Sequence, residues 1–218
     1  MYSDLNCYDE SSLPSGKVTP IAVVFDTENR LAIGLKDAGA MHWMKLGLCG
    51  TGGVECNIEG IPDIPLGSSL IQYITSYGWW GNFEPETILN ATDNGKNNTK
   101  AVIDLGGDYA LSDYAPGYCY YSTEGGQKEG SWFLPSAKES MKIVENGVKI
   151  NEILTNIGDA FSNNFYYTSS EATDGSYYRT ISFTSASSMI KSGVPKNTYK
   201  DGVETSSPST YVRCAIQY

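Results

Sequence analysis

The chain has 218 residues and a formal net charge of −10, with 40% hydrophobic and only 18% charged residues. That length suits one domain with a sizeable core, and the 16 tyrosines and 23 glycines favour loops and β structure over long helices. The acidic balance argues against nonspecific binding to nucleic acid or anionic membrane, and no apolar run reaches the length of a membrane-spanning helix.

The charge is uneven. Residues 1–159 carry 21 acids and 10 bases, whereas 160–218 carry four acids and five bases. The nearly neutral tail can therefore meet many partners without strong repulsion. The opening "MYSDLNCYDESS" has neither a basic stretch nor an apolar segment, so no signal peptide is read there. The five cysteines (Cys7, Cys49, Cys56, Cys119 and Cys214) form no CxxC pair, which gives no reason to expect zinc and leaves buried thiols and disulfides both open.

In chain order, "KVTPIAVVFDTENRLAIGLKD" reads as a β-hairpin over 18–35, with apolar β-branched strands on either side of the turn residues "DTEN". Residues 47–68 are rich in glycine and proline and read as an irregular stretch of a loop-rich insertion spanning about 47–95. "SSLIQYITSYGWWGN" fits a helix or a strand equally. "TDNGKNNTKAVIDL" reads as a polar turn followed by a helix, with Asn98 as its N-cap. "YALSDYAPGYCYYS" is partly helical despite Pro116.

In "GSWFLPSAKES", Pro135 biases Leu134 to an extended shape, and Ser136 followed by Glu139 makes a capping box. A helix is expected over 137–146, ended by Gly147 in the position after the C-cap, and a second over about 151–157, ended by Gly158. The remainder turns to β structure: "NNFYYTSSE", "SYYRTISFTS" and, last, "STYVRCAIQY". In "YRTISFTS" the alternation puts Tyr178, Thr180, Ser182 and Thr184 on one face, with Ile181 and Phe183 on the other.

The order "NNTKAVID", "GYCYYSTEG", "GSWFLPSAKES", "FYYTSSEA" and "YVRCA" resembles bacterial C-type-lectin-like domains of the formylglycine-generating-enzyme branch, specifically the family typified by the C-terminal domain of the Legionella collagen-like adhesin. The matching positions are Gly130, Trp132, Leu134, Pro135, Ser136 and Glu139, then Ser169, Ser170 and Glu171, then Val212 and Arg213. The match is best over 94–218 and looser over the hairpin.

The resemblance implies an α+β, C-type-lectin-like fold for 1–218: two main helices on a twisted antiparallel sheet, with long irregular loops. Trp132, Pro135, Ser136, Glu139, Cys119, Cys214 and Arg213 would be structural. In that fold a disulfide commonly ties the first long helix to the final strand, which implies that Cys119 and Cys214 are neighbours. The calcium-binding E-P-N, Q-P-D and W-N-D signatures are missing from the second half, so the likeness supports the fold and argues against calcium-dependent sugar binding.

Catalysis finds little support in the sequence. His42 is the lone histidine, no GxSxG or cysteine motif accompanies it, and "MHWMK" reads as a packed segment. The sulfatase-activating chemistry of the superfamily needs two reactive cysteines in the second half, where only Cys214 stands. The acids single out no opposed pair for glycoside hydrolysis. "DNGKNN" lacks the glutamate of a calcium loop and reads as a turn. The Trp79–Trp80 pair reads as a core or interface anchor. No catalytic residue, metal or cofactor is expected.

The remaining functional signal is the tail. Residues 162–218 contain 12 Ser and 7 Tyr, the mixture of rigid aromatic area and adaptable polar groups that paratopes use, although solvated β-loops share it. C-type-lectin-like domains with variable C-terminal surfaces are targets of diversity-generating retroelements in phages and bacteria, and the chain ends at the fold's last strand, as such targets often do. The expectation is a non-enzymatic domain on a cell or virion surface, contacting a protein or glycan receptor through about 173–188 and 196–207, with no nucleic acid bound and no membrane insertion. The contact residues would be Asp174, Ser176, Tyr177, Tyr178, Arg179, Thr180, Ser182, Thr184 and Tyr199. The alternatives are a structural fibre or tip module, or an enzyme of the same superfamily with an unrecognised site.

Overall fold

The computed structural model describes residues 1–8, 19–44, 58–65, 92, 94–162, 164–173, 178–184, 189–195, 199–200, 203–204 and 210–218. The expected hairpin is present as β1, Ala22–Asp26, and β2, Leu31–Gly34. Asp26 builds its turn: Oδ1 accepts from the backbone N–H groups of Glu28 and Asn29 at 3.0 and 3.1 Å, and Oδ2 accepts from the Asn29 side chain at 2.8 Å. This is the local competition with regular structure that makes Asp a turn residue.

Within the stretch read as irregular, Asp63–Pro65 forms a short strand, β3, which pairs in parallel with residues 171–173. Helix α1, Gly95–Asp104, starts four residues earlier than expected. Its N-cap is Asn94, whose side-chain oxygen accepts from Asn97 N–H at 3.1 Å, and Asn98 is buried inside the helix instead. Asn94 and Asn98 have the same local chemistry, so sequence alone did not separate them. Helix α2, Ala115–Tyr121, carries Pro116 in its first turn, where a missing N–H costs no intrahelical bond.

Strand β4, Trp132–Phe133, runs into α3, Ala137–Glu145, through the expected capping box. Gly147 does not stop the polypeptide as expected. It opens α4, Gly147–Ile157, and Asn146 (φ −101°, ψ 8°) serves as the C-cap of one helix and the N-cap of the next. The tail holds β5, Tyr166–Thr173, β6, Tyr178–Thr184, and β7, Met189–Pro195, then a small hairpin of β8, Tyr199–Lys200, and β9, Val203–Glu204. The final strand, β10, is Ala215–Gln217. It is shorter than the sequence pattern suggests, because Tyr211 makes only isolated bridges, to Ala40 and Tyr166. The undecided stretch 68–82 lies outside the described residues.

The architecture is α+β. One antiparallel sheet has the order β1-β2-β10-β4, and a second has the order β3-β5-β6-β7, antiparallel except for β3. Strand alternation gives the first sheet two cores. Val23, Phe25, Leu31, Ile33, Phe133 and Ala215 pack with Met141, Ile143, Val144, Ile150 and Leu154 of α3 and α4. Their neighbours in sequence, Ala22, Ala32, Trp132 and Ile216, pack on the opposite side with Trp43, Val102 of α1 and Cys119 of α2. Trp132 and Phe133 are adjacent in the chain and both essentially inaccessible, yet they belong to different cores.

Candidate functional site

The capping box does more than start one helix. Ser136 Oγ accepts from Glu139 N–H at 3.2 Å, and Glu139 Oε2 accepts from Ser136 N–H at 2.8 Å. The other carboxylate oxygen, Oε1, accepts from Gly95 N–H at 3.2 Å. One carboxylate therefore satisfies orphan donors at the starts of both α3 and α1. The approach demands glycine at 95: a Cβ there would lie 2.5 Å from Glu139 Oε2 and 2.6 Å from the Leu134 carbonyl. One turn into α1, Thr99 Oγ1 accepts from Leu134 N–H at 3.0 Å and reaches the Leu134 carbonyl at 3.4 Å.

Strand β5 bulges beside this junction. Tyr167 faces Ser182 and Glu171 faces Thr180, so residues 168–170 are accommodated opposite Ile181 alone. The bulge turns β5's backbone toward other partners. Trp43 Nε1 donates to the Thr168 carbonyl at 2.9 Å, and Ser169 N–H donates to the Pro135 carbonyl at 2.8 Å. Ser170 Oγ accepts from Ala137 N–H at 2.7 Å, and Glu171 Oε2 accepts from Ile58 N–H at 3.2 Å. Ser136, Thr168, Ser169, Ser170 and Glu171 are all inaccessible to solvent. The "FLPSAKE" and "YTSSE" stretches thus form one polar junction holding α1, α3 and the second sheet together.

A second junction centres on Arg213, which is 1% exposed. Its Nε and Nη2 both lie 2.6 Å from Asp37 Oδ1, and its guanidinium stacks over the Phe161 ring at 4.4 Å. Tyr166 donates its hydroxyl proton to Asp37 Oδ2 at 2.8 Å and accepts from Ser162 N–H at 2.9 Å. Burial pushes the Tyr166 hydroxyl up to about 12. Asp37 and Tyr166 were not singled out in the sequence. The available signal was Arg213 itself, because a charge inside an apolar terminal segment requires a partner.

Cys119 and Cys214 form a disulfide with a Cα–Cα distance of 5.4 Å. Cys119 lies on the seven-residue α2 rather than on α1, the first long helix described, and Cys214 precedes β10 rather than lying within it. Among the described residues Cys7 is a free cysteine. His42 is half-buried in a packed segment: its carbonyl accepts from Ala115 N–H at 3.0 Å, and the flanking Trp43 and Met44 are buried.

The expected contact residues fall differently. Asp174, Ser176 and Tyr177 lie outside the described residues. Tyr178, Arg179, Thr180, Ser182 and Thr184 lie on β6, which is bracketed by β5 and β7: Tyr178 pairs with Thr173, Arg179 with Ala172 and Pro195, Thr180 with Val194, and Thr184 with Met189. Tyr199 lies on the separate β8–β9 ribbon, opposite Glu204. The residues thus divide between the second sheet and this ribbon.

The tail's composition also proves less uniform than its Tyr and Ser count suggests. Tyr166, Tyr167, Ser169 and Ser170 are buried scaffold. Among the described residues no cluster of three or more His, Cys, Asp or Glu side chains could hold a metal ion, and no helix is long and apolar enough to cross a membrane. No family model, no curated protein and no solved structure matches the chain.

Proposed function

We propose that the chain is a non-enzymatic receptor-binding domain with a C-type-lectin-like fold, held on a cell or virion surface and contacting a protein or glycan through its C-terminal strands and loops. The observation that carries this reading is the engagement of its motif residues. Trp132, Ser136, Glu139, Ser169, Ser170, Glu171 and Arg213 are all buried, and their polar groups serve helix starts, strand ends and a buried ion pair. Residues so engaged are scaffold, and recognition falls to what the scaffold carries. The segments that join β5 through β9 are made of Ser, Asn, Asp, Gly, Thr, Lys and Ala with Tyr177, and Tyr178 and Tyr199 stand on the strands beside them, the chemistry of adaptable contact. The disulfide supports an oxidising compartment, in keeping with a surface location.

The test separates binding from folding. Tyr177→Ala with Tyr178→Ala, and separately Tyr199→Ala, are compared with the parent for adhesion of the labelled protein to cultured host cells and to a glycan array. Expected is loss of adhesion with melting temperature unchanged. Unchanged adhesion, or a fall in stability large enough to explain its loss, overturns the reading. Retroelement diversification is tested by sequencing the encoding locus across a population: substitutions should cluster in 174–207 and spare Trp132–Ser136 and Val212–Cys214. Substitutions spread evenly along the chain would refute it.

A further inference from the structure

The turn end of β1 faces α3 and α4 across a cleft of about 370 Å³. Its two walls carry opposite charges. Asp26 and Glu28 stand on the strand and its turn, and Lys142 and Lys149 stand on the helices. The backbone break at Asn146 separates α3 from α4, yet a lysine from each helix lines the same space. Val24, Phe25, Ile150 and Ile153 supply the apolar part of the lining. Phe25 and Ile150 are buried in the core, whereas Val24 and Ile153 are half-buried.

The four charges are not equivalent. Asp26 is committed to the hairpin turn, where its carboxylate accepts from the Glu28 and Asn29 backbone and the Asn29 side chain. Lys142 has Glu145 Oε2 3.8 Å away on its own helix. Glu28 and Lys149 are exposed, and among the described residues neither forms an ion pair, with the other or with any third side chain. Two uncommitted charges of opposite sign therefore line one cleft from its two walls. A simple anion or a simple cation would meet a like charge across the space. A molecule carrying both signs meets a complement on each side.

We infer that this cleft binds a free α-amino acid with an aliphatic side chain, its carboxylate on Lys149, its ammonium on Glu28 and its side chain against Val24 and Ile153. Small-molecule sites span about 300–1,000 Å³, with a mainly apolar lining and a few polar groups that fix orientation. This cleft lies at the small end of that range, which suits a ligand of amino-acid size. Charge-assisted hydrogen bonds at the two ends set the direction in which the ligand lies. Each charge is exposed, so each contributes modestly, and selectivity comes from needing both. The site is separate from the C-terminal strands and stands independently of the receptor-binding reading.

The experiment uses the full chain and three probes that share one isobutyl group: L-leucine, L-leucinamide, which lacks the carboxylate, and isocaproate, which lacks the ammonium. Backbone amide shifts in an NMR titration report both location and affinity. Leucine should shift the amides of 24–28 and 146–153 and bind about threefold tighter than either truncated probe, the range of an exposed ion pair. Lys149→Gln should erase the advantage of leucine over leucinamide and keep its advantage over isocaproate. Glu28→Gln should do the reverse. Both positions are exposed, so both variants should melt with the parent. Shifts centred elsewhere, no saturable shift up to the solubility of leucine, or equal binding of the three probes overturns the inference. So does a Lys149→Gln or Glu28→Gln variant that binds leucine as tightly as the parent.

Discussion

The junction around Leu134–Glu139 and the strands beyond β5 are built from similar letters. Both are rich in Ser, Thr and Tyr. At the junction those groups are inaccessible: Ser136, Thr168, Ser169 and Ser170 are buried, and their side chains or backbone groups bond helix starts and loop backbone. Past Thr173 the chain passes to hairpins whose connecting segments carry the same polar and aromatic residues. A Ser- and Tyr-rich segment is therefore not by itself a surface. Burial at the junction follows from where the fold brings backbone donors and acceptors, and that is a tertiary property.

Substitutions at the junction should cost stability; under the proposed function, substitutions in the hairpins should cost binding. The largest expected loss comes from removing the disulfide. Cys119→Ala with Cys214→Ala opens a loop of 95 residues, for which chain entropy gives about 4–5 kcal/mol, read as a lower urea midpoint. Arg213→Met strands Asp37 in a partly buried site and should cost about 3 kcal/mol. If the ion pair is instead compensated locally, the double change with Asp37→Leu will be no more stable than the single one.

Gly95→Ala forces a methyl against Glu139 and the Leu134 carbonyl and should cost about 1–3 kcal/mol. Ser136→Ala removes one cap, at about 1 kcal/mol. The two should fall short of additivity, because both act through Glu139.

The smallest effect is on pH dependence. Burial raises the Tyr166 hydroxyl to about 12 from its ordinary 10. The unfolded chain therefore loses this proton first as pH rises, and stability falls between pH 10 and 12. In Tyr166→Phe the decline of melting temperature across that window should be shallower. An unchanged slope would mean that other tyrosines govern it.

How much of this was legible depended on range along the chain. The Ser136–Glu139 box is an i, i+3 relation, and the structure contains it as read. The hairpin over 22–34 rests on a turn that Asp26 and Asn29 make among themselves. Helix starts with repeated candidates were not separable: Asn94 and Asn98 offer the same oxygen, and Asn98 lies within the helix, its side chain directed to the Ser169 carbonyl at 3.5 Å. Gly147 was read as a stop because glycine tolerates the left-handed region, but the backbone there is not left-handed, and α4 packs Ile150 and Leu154 into the core from its first turns. Strand β3 was invisible because three residues carry no periodicity; it exists through its pairing with β5.

The sequence by itself determined the hairpin and the extended "WFLP" leading into a capped helix, since each rests on periodicity or on a contact within a few positions; the α+β class, which the structure shows, came as what the resemblance implied. Only the tertiary structure decided that Glu139 serves two helices, that Asp37 and Tyr166 complete Arg213, and that Trp132 and Phe133 feed opposite cores. The contacts of Glu139 and Asp37 among these join residues 44 to 176 positions apart. Partners that distant are selected by how the whole chain packs, because burial leaves each polar group to find whichever complement the fold brings within bonding distance.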